Sequence, residues 1–184
     1  MLVYSRDFDF HCERLDLVLT ALGDAGLGLN MSKCSFVRRE VVYLGHKVSG
    51  EGISPDPQKS AAISQHPPPT NVKELKHFLG LASYYRKFIR GFSTVAQPLI
   101  SLLKKGMEFV WHEPQKLSCK HLVDALSSPS TLVHFEETAE LFLKTDASYA
   151  GLGAVLIQKK AREEKVVSFL SRRLLTIEAN WSGS

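Results

Sequence analysis

Between residues 71 and 89 the apolar positions Leu75, Phe78, Leu79, Ala82, Tyr85 and Ile89 recur with a helical period. Lys76, Gly80, Ser83, Tyr84 and Lys87 fall on a different face of the same helix. Asn71 stands at its start with Glu74 three residues on, an Asn variant of the capping box. Gly91 ends this helix, a second begins at Ser93 or Thr94 and runs to Gly106, and Lys116–Leu126 predicts a third. Leu15, Val18, Leu19 and Leu22 give a further helical stripe between Asp9 and Ala25, closed by Gly23, Gly26 and Gly28.

Elsewhere the period is that of strands. Residues 1–5, Cys34–Val37 and Val41–Val48 read as strands, and Ser49-Gly50-Glu51-Gly52 as a turn that lets Ile53–Ser54 pair back. A short helix is expected from Pro57 to Ser64. Pro67-Pro68-Pro69 cannot be helix interior and predicts a stiff connector acting as a mobile hinge. From Glu140 onward, Leu141–Thr145, Gly151–Gln158 and Lys165–Leu170 predict an antiparallel meander, with Asp146-Ala147-Ser148-Tyr149 as its first turn and Lys159–Glu164 as its second. A last helix is expected near Thr176. The fold class is therefore α+β.

Composition narrows the setting. With 44% hydrophobic and 23% charged residues among 184, the chain has the profile of a folded protein and not of a disordered one. No apolar run approaches a membrane span, and the N-terminus meets charge too early for a secretory signal. Three widely spaced cysteines fit neither a disulfide framework nor a zinc site, which suggests a reducing intracellular location, cytoplasmic or nuclear. The net charge of +4 is concentrated. Residues 71–105 hold Lys73, Lys76, Arg86, Lys87, Arg90, Lys104 and Lys105 against Glu74 alone, a local +6 that leaves the remainder at −2. Such a patch is either a solvated helix face or a polyanion-binding surface.

Gly80 bears on that choice. A mid-helix glycine costs about 1 kcal/mol against alanine. Close packing on another helix is the common reason for one. Here its neighbours on the face are Lys76, Tyr84 and Lys87, which suit phosphate and sugar contacts of a nucleic-acid duplex. Asp146 is the one carboxylate placed like a metal ligand, and no second acid shares its strands; Glu178 is the only later candidate. Two-metal phosphodiester chemistry needs several such groups, so the residues alone argue against a working metal site. The histidines show no metal spacing, and Gly45-His46 with Gly50-Glu51-Gly52 is not a phosphate loop, because no helix follows.

Longer runs carry more. Tyr43-Leu44-Gly45-His46-Lys47-Val48-Ser49-Gly50-Glu51-Gly52-Ile53, Pro55-Asp56-Pro57-Gln58-Lys59, Pro67-Pro68-Pro69-Thr70, and Leu75-Lys76-His77-Phe78-Leu79-Gly80-Leu81-Ala82-Ser83-Tyr84-Tyr85-Arg86-Lys87-Phe88-Ile89 closely resemble the reverse transcriptase of gypsy-type long-terminal-repeat retrotransposons. Lys144-Thr145-Asp146-Ala147-Ser148, then Gly151-Leu152-Gly153-Ala154-Val155-Leu156, Ser171-Arg172-Arg173-Leu174 and Glu178-Ala179-Asn180-Trp181-Ser182 resemble the opening of the RNase H domain of the same polyprotein.

The resemblance implies that residues 1–66 are the C-terminal part of the polymerase palm, 70–106 a helical thumb, 107–138 a connection, and 139–184 the start of an incomplete RNase H-like meander. It implies that Leu44, Gly45 and His46 form a primer grip. Lys73, Lys76, Gly80, Tyr84 and Lys87 would then face an RNA–DNA hybrid or a DNA duplex. It also implies Mg²⁺ as cofactor of the intact enzyme, with Asp146 as an RNase H-type catalytic carboxylate and metal ligand.

Departures from the pattern qualify this. The polymerase Asp pair, which in the family immediately precedes the segment matching Met1-Leu2-Val3-Tyr4-Ser5, is absent, and so are the remaining RNase H acids. Asp146 is left as an orphan, and one carboxylate does not hold two metal ions stably. Cys119 replaces a usual aromatic in the connection helix, which predicts looser packing there. The expectation is a fragment of an RNA-directed DNA polymerase without activity of its own. The alternatives are a duplex-binding remnant, part of a longer active polyprotein whose other portion supplies the acids, or a remnant that does not fold. The meander is expected to expose an unpaired edge and an apolar face.

Overall fold

A computed structural model describes residues 1–65, 67–148, 151–160, 163–175 and 178. Helix α1 (Phe8–Asp24) is capped by the Asp7 carboxylate, which accepts from the Phe10 N–H at 2.8 Å. None of its residues is buried; Leu15, Val18 and Leu22 are half-covered and Leu19 is exposed.

Three short antiparallel strands follow: β1 (Glu40–Tyr43), β2 (His46–Ser49) and β3 (Gly52–Pro55), in the order β1-β2-β3. The expected continuous strand over Val41–Val48 is thus a hairpin folded at Leu44-Gly45, with Tyr43 opposite His46. Both turn residues have positive φ, 47° for Leu44 and 70° for Gly45, as a two-residue hairpin turn matched to strand twist requires. The expected strands at 1–5 and 34–37 do not form, since neither segment finds a pairing partner. β-Propensity describes fit to a sheet, and without a neighbouring strand it has nothing to fit.

The core lies in the helices. Helix α2 (Pro57–Ser64) starts with Pro57 in its first turn, under an Asp56 cap. Helix α3 (Val72–Tyr84) buries Leu75, Phe78, Leu79 and Ala82. It stops at Tyr84 instead of reaching Ile89, and residues Arg86–Phe88 tighten into a 3₁₀ turn. The single helix expected up to Gly106 is two short ones, α4 (Phe92–Val95) and α5 (Gln97–Ser101), because Pro98 must open a new first turn. Helix α6 (Glu113–Ser127) packs Cys119, Leu122 and Leu126 against them. The prolines are not a free connector: Pro69 is buried, and α2 packs directly on α6.

The C-terminal sheet contains β4 (Glu140–Ser148), β5 (Gly151–Lys160) and β6 (Glu163–Arg173), an antiparallel meander in that order. Asp146 lies inside β4 opposite Gly153, not in a turn. Tyr149 and the helix expected from Thr176 fall outside the described residues, as does His66. Val166 and Phe169 pack on the helical core, and Ser171 accepts from the Ser93 N–H at 3.0 Å and, through its carbonyl, from Arg86. On the other face Leu143, Leu152 and Leu170 are exposed, the apolar face the sequence predicts.

Residues 131–134 tie the two sheets together. Leu132 exchanges backbone hydrogen bonds with Ile53 at 2.7 and 2.9 Å, the Val133 N–H donates to Val166, and His134 Nε2 donates to the Ser49 carbonyl at 2.6 Å.

Candidate nucleic-acid interface

Helix α3 presents its charged face as the periodicity predicts. The Asn71 side chain accepts from the Glu74 N–H at 3.0 Å, and the Glu74 carboxylate in turn accepts from the Thr70 N–H at 2.7 Å. This reciprocal cap fixes where the first turn begins and so which residues face outward. Lys73, Lys76, Gly80, Ser83 and Tyr84 are all exposed. A Cβ added at Gly80 would meet no atom within 4 Å. Helix packing within this chain is therefore not the reason for the glycine; the space beside its backbone is open.

Lys87 departs from that face. Because α3 ends at Tyr84, the 3₁₀ turn carries Lys87 back toward the hairpin, with its ammonium 5.1 Å from the centre of the Phe88 ring. Burial depresses its pKa, since a charged amine loses hydration there. It now sits near His46, and so does Lys59 of α2, the last residue of the Pro55-Asp56-Pro57-Gln58-Lys59 run that carries the resemblance. A Cβ on Gly45 would lie 3.3 Å from Lys59 Nζ and 3.2 Å from the Tyr85 hydroxyl. Lys59 lies outside the basic 71–105 segment, and only the tertiary fold brings it to the turn.

The turn itself is held by aromatic residues. Tyr85 donates to the Gly45 carbonyl at 2.8 Å, and Tyr84 donates to the Leu44 carbonyl. His46 packs among Tyr84, Tyr85 and Phe88, with ring centres 5.3, 5.6 and 5.7 Å away. Its Nδ1 lies 2.9 Å from the Leu44 carbonyl, which can only accept, so Nδ1 carries the proton. Its Nε2 is buried with no hydrogen-bond partner among the described residues. Burial lowers the His46 pKa, the Leu44 bond opposes this, and the charges of Lys87 and Lys59 lower it further. Burial raises the pKa of Tyr85, with Tyr84 and Asp56 adding to the shift. A neutral histidine and a protonated Tyr85 phenol are thus the forms that fit the cluster. Leu44 is 70% exposed at the tip.

The arrangement is a basic, open helix face beside a rigid turn with an apolar tip. Lys73, Lys76, Gly80 and Tyr84 share the helix; Leu44, Gly45, His46 and Lys87 share the turn. Asp146 joins neither group.

A family described as the RNase H-like domain found in reverse transcriptase matches residues 111–183. The Pol polyprotein of the Drosophila melanogaster transposon opus is 38% identical over 193 residues, covering 99% of this chain. The chain belongs to the reverse transcriptase–RNase H region of retrotransposon Pol polyproteins. Another member of the family, the Schizosaccharomyces pombe Tf2-3 polyprotein, is 34% identical over the whole chain. The chain spans 19% of the opus polyprotein and 14% of the Tf2-3 polyprotein. The fold of the family extends to solved structures. The foamy viral protease–reverse transcriptase in complex with double-stranded DNA superposes with a TM-score of 0.81 at 24% identity, over 97% of this chain and 32% of that one. The same viral enzyme in complex with an RNA/DNA hybrid gives 0.79 at 23% identity, over 97% of this chain and 24% of that one.

Enzymes of the family use divalent metal. The residues described here do not fit a two-metal centre. Among them no three His, Cys, Asp or Glu side chains are grouped so as to hold a metal ion. Asp146 is exposed on β4 facing Gly153. Glu178 is committed elsewhere: Arg172 donates to both its oxygens at 2.8 and 2.9 Å, and these bonds hold its carboxyl below the usual carboxylate range. Asp146 lies in register with Gly153 and Ser171, whereas Arg172, one residue on from Ser171 and paired with Glu178, points from the opposite face of the sheet.

Proposed function

We propose that this chain binds an RNA–DNA hybrid or a DNA duplex, with α3 lying along the duplex and the 44–46 turn beside it. In this reading residues 1–66 are the end of a polymerase palm, 70–106 its thumb, 107–138 a connection and 139–184 the start of an RNase H-like domain. The acids that carry Mg²⁺ and transfer nucleotides belong to the rest of a longer Pol polyprotein, and these residues hold the nucleic acid.

The observation that carries the reading is Gly80. It stands exposed between Lys76 and Tyr84, and open space surrounds its backbone. A lysine one turn before it and an aromatic one turn after it would flank a duplex backbone lying across the glycine.

The test is equilibrium binding of a labelled RNA–DNA hybrid at several salt concentrations. The parent is expected to bind with an affinity that falls steeply with salt, because each neutralised phosphate releases counterions. Lys76→Glu should weaken binding and flatten the slope by about one unit for the lost phosphate contact. Gly80→Leu is the sharper variant. It replaces a poor helix former with a good one, so α3 gains up to about 1 kcal/mol of helical preference, while the side chain blocks the open space. A more stable protein that binds less is expected; equal binding by Gly80→Leu and parent overturns the placement of the duplex on α3.

A further inference from the structure

A cavity opens on the side of α3 that the basic face leaves. Phe78 stands two residues from both Lys76 and Gly80, which turns it to the opposite side of the helix. Together with Pro67–Pro69, Trp111 and Cys119 it encloses about 240 Å³. Cys119 is a small side chain at a buried position of α6, so the prolines and Phe78 have nothing larger to close on.

The walls are apolar except at two places. One is Trp111. Its ring packs edge to face on Phe109, with centres 6.3 Å apart, and its Nε1 is buried with no hydrogen-bond partner among the described residues. An indole N–H can only donate, and a buried one normally finds an acceptor. Here burial has removed its water and supplied no replacement, so an incoming acceptor would restore a bond that folding took away. The other place is the opening. Lys116 and Lys120 line it one turn apart on α6, and both are exposed. Glu113 approaches Lys116 only to 3.9 Å, an exposed pair too weak to withhold that ammonium from a ligand.

Apolar walls, one buried donor and two ammonium groups at the opening describe the occupant: an apolar body that carries a hydrogen-bond-accepting anion. Size sets the rest. A dry cavity of about 150 Å³ admits benzene, and pockets for drug-sized ligands begin at about 300 Å³. One aromatic ring on a short arm falls between. Among anions a carboxylate fits best, since its two oxygens take the indole N–H and an ammonium together.

We propose that this cavity is a binding site for a small aryl carboxylate, with the ring between the prolines and Phe78 and the carboxylate held by Trp111 Nε1, Lys116 and Lys120. None of these residues belongs to the nucleic-acid face, so the site is independent of duplex binding. The connector, α3 and α6 each contribute a wall. A ligand seated here therefore bridges three segments and stabilises the folded chain by mass action.

The test titrates 3-phenylpropanoate into the full chain by calorimetry. Its uncharged counterpart 3-phenyl-1-propanol and its ringless counterpart propanoate serve as controls. The acid is expected to bind with a Kd of about 1 mM or tighter, the alcohol about tenfold more weakly, and propanoate not detectably. The Trp111 indole proton resonance, identified by its loss in Trp111→Phe, should move downfield as the acid is added. K116Q/K120Q changes two exposed side chains and leaves the apolar walls in place. It should weaken the acid about tenfold and leave the alcohol unaffected, and it keeps the test decisive if Trp111→Phe fails to fold. Cys119→Phe fills the cavity and should abolish binding of both ligands. Equal affinity for acid and alcohol, or an indole resonance that does not move, overturns the carboxylate's placement and the proposal with it. Undiminished binding by Cys119→Phe puts the ligand elsewhere and overturns the site. No binding of the acid by the parent up to about 10 mM overturns the proposal outright.

Discussion

Gly52 lies directly beneath the Leu132 carbonyl: a Cβ built on it would overlap that oxygen and crowd the Thr131 side chain at 3.1 Å. Its φ of 145° is also one that side-chain-bearing residues rarely adopt. Both effects act on Gly52→Ala. The variant is expected to lose about 2–4 kcal/mol, the range of backbone strain and core overlap. Gly50→Ala, in the same turn but with nothing within 4 Å, should stay within about 0.5 kcal/mol of the parent. Thermal melts of the two variants side by side check this; equal melting temperatures refute it.

Stability should also depend on His46. Its pKa in the folded chain lies below the ordinary 6.5 because it is buried, with Lys87 and Lys59 nearby. As pH falls below about 6.5 the unfolded chain takes up this proton first, so the stability that is complete above that pH is progressively lost down to the folded pKa. His46→Gln should show a weaker loss between pH 7 and 5 than the parent. Melting temperatures of both proteins across that window give the answer, and parallel curves would remove His46 from the account.

A cavity of about 240 Å³ lies between Pro67–Pro69, Phe78, Trp111, Val123 and Cys119. Cys119 is buried, and burial pushes its thiol pKa up, so it is a poor nucleophile as well as a small filler. Cys119→Phe should occupy part of this space and stabilise by about 0.5–2 kcal/mol, the usual gain from filling a cavity. A lower melting temperature would mean that the walls, including buried Pro69, do not yield.

Asp146 should be indifferent to magnesium in this chain. The parent is expected to melt at the same temperature in millimolar Mg²⁺ and in EDTA, and Asp146→Asn, a change at an exposed position, to shift stability by no more than about 0.5 kcal/mol. A rise in melting temperature with Mg²⁺ that Asp146→Asn abolishes would show that the site is competent after all.

The sequence is most legible where a single face repeats. The stripe from Leu75 to Ala82 and its outward partners Lys76 and Gly80 need nothing beyond the helical period, and the Asn71–Glu74 cap marks the start. It misleads where a turn lacks turn residues. Val41–Val48 reads as one strand because Leu44 carries no turn signal, and the tyrosines that hold it at positive φ lie 40 residues away. Lys87 falls on the wrong face for a related reason: the helical period does not extend past Tyr84, where the chain tightens into the 3₁₀ turn. Lys59 stands in a run that carries the resemblance, but no periodicity points to its place beside Gly45, which is purely tertiary. Residues 1–5 and 34–37 have strand-forming side chains and no strand to pair with.

The tie at residues 131–134 acts as a ruler. Leu132 is bonded to Ile53, and Ile53 lies two residues from the Pro55 that pairs with His46; Val133 is bonded to Val166 of the C-terminal sheet. The spacing between the 44–45 turn and the C-terminal sheet is therefore set by a few consecutive backbone bonds and not by the reach of a linker. On the proposed function, a duplex seated on the turn would meet the C-terminal sheet at a fixed number of base pairs along its length, and an insertion at position 131 would change that number.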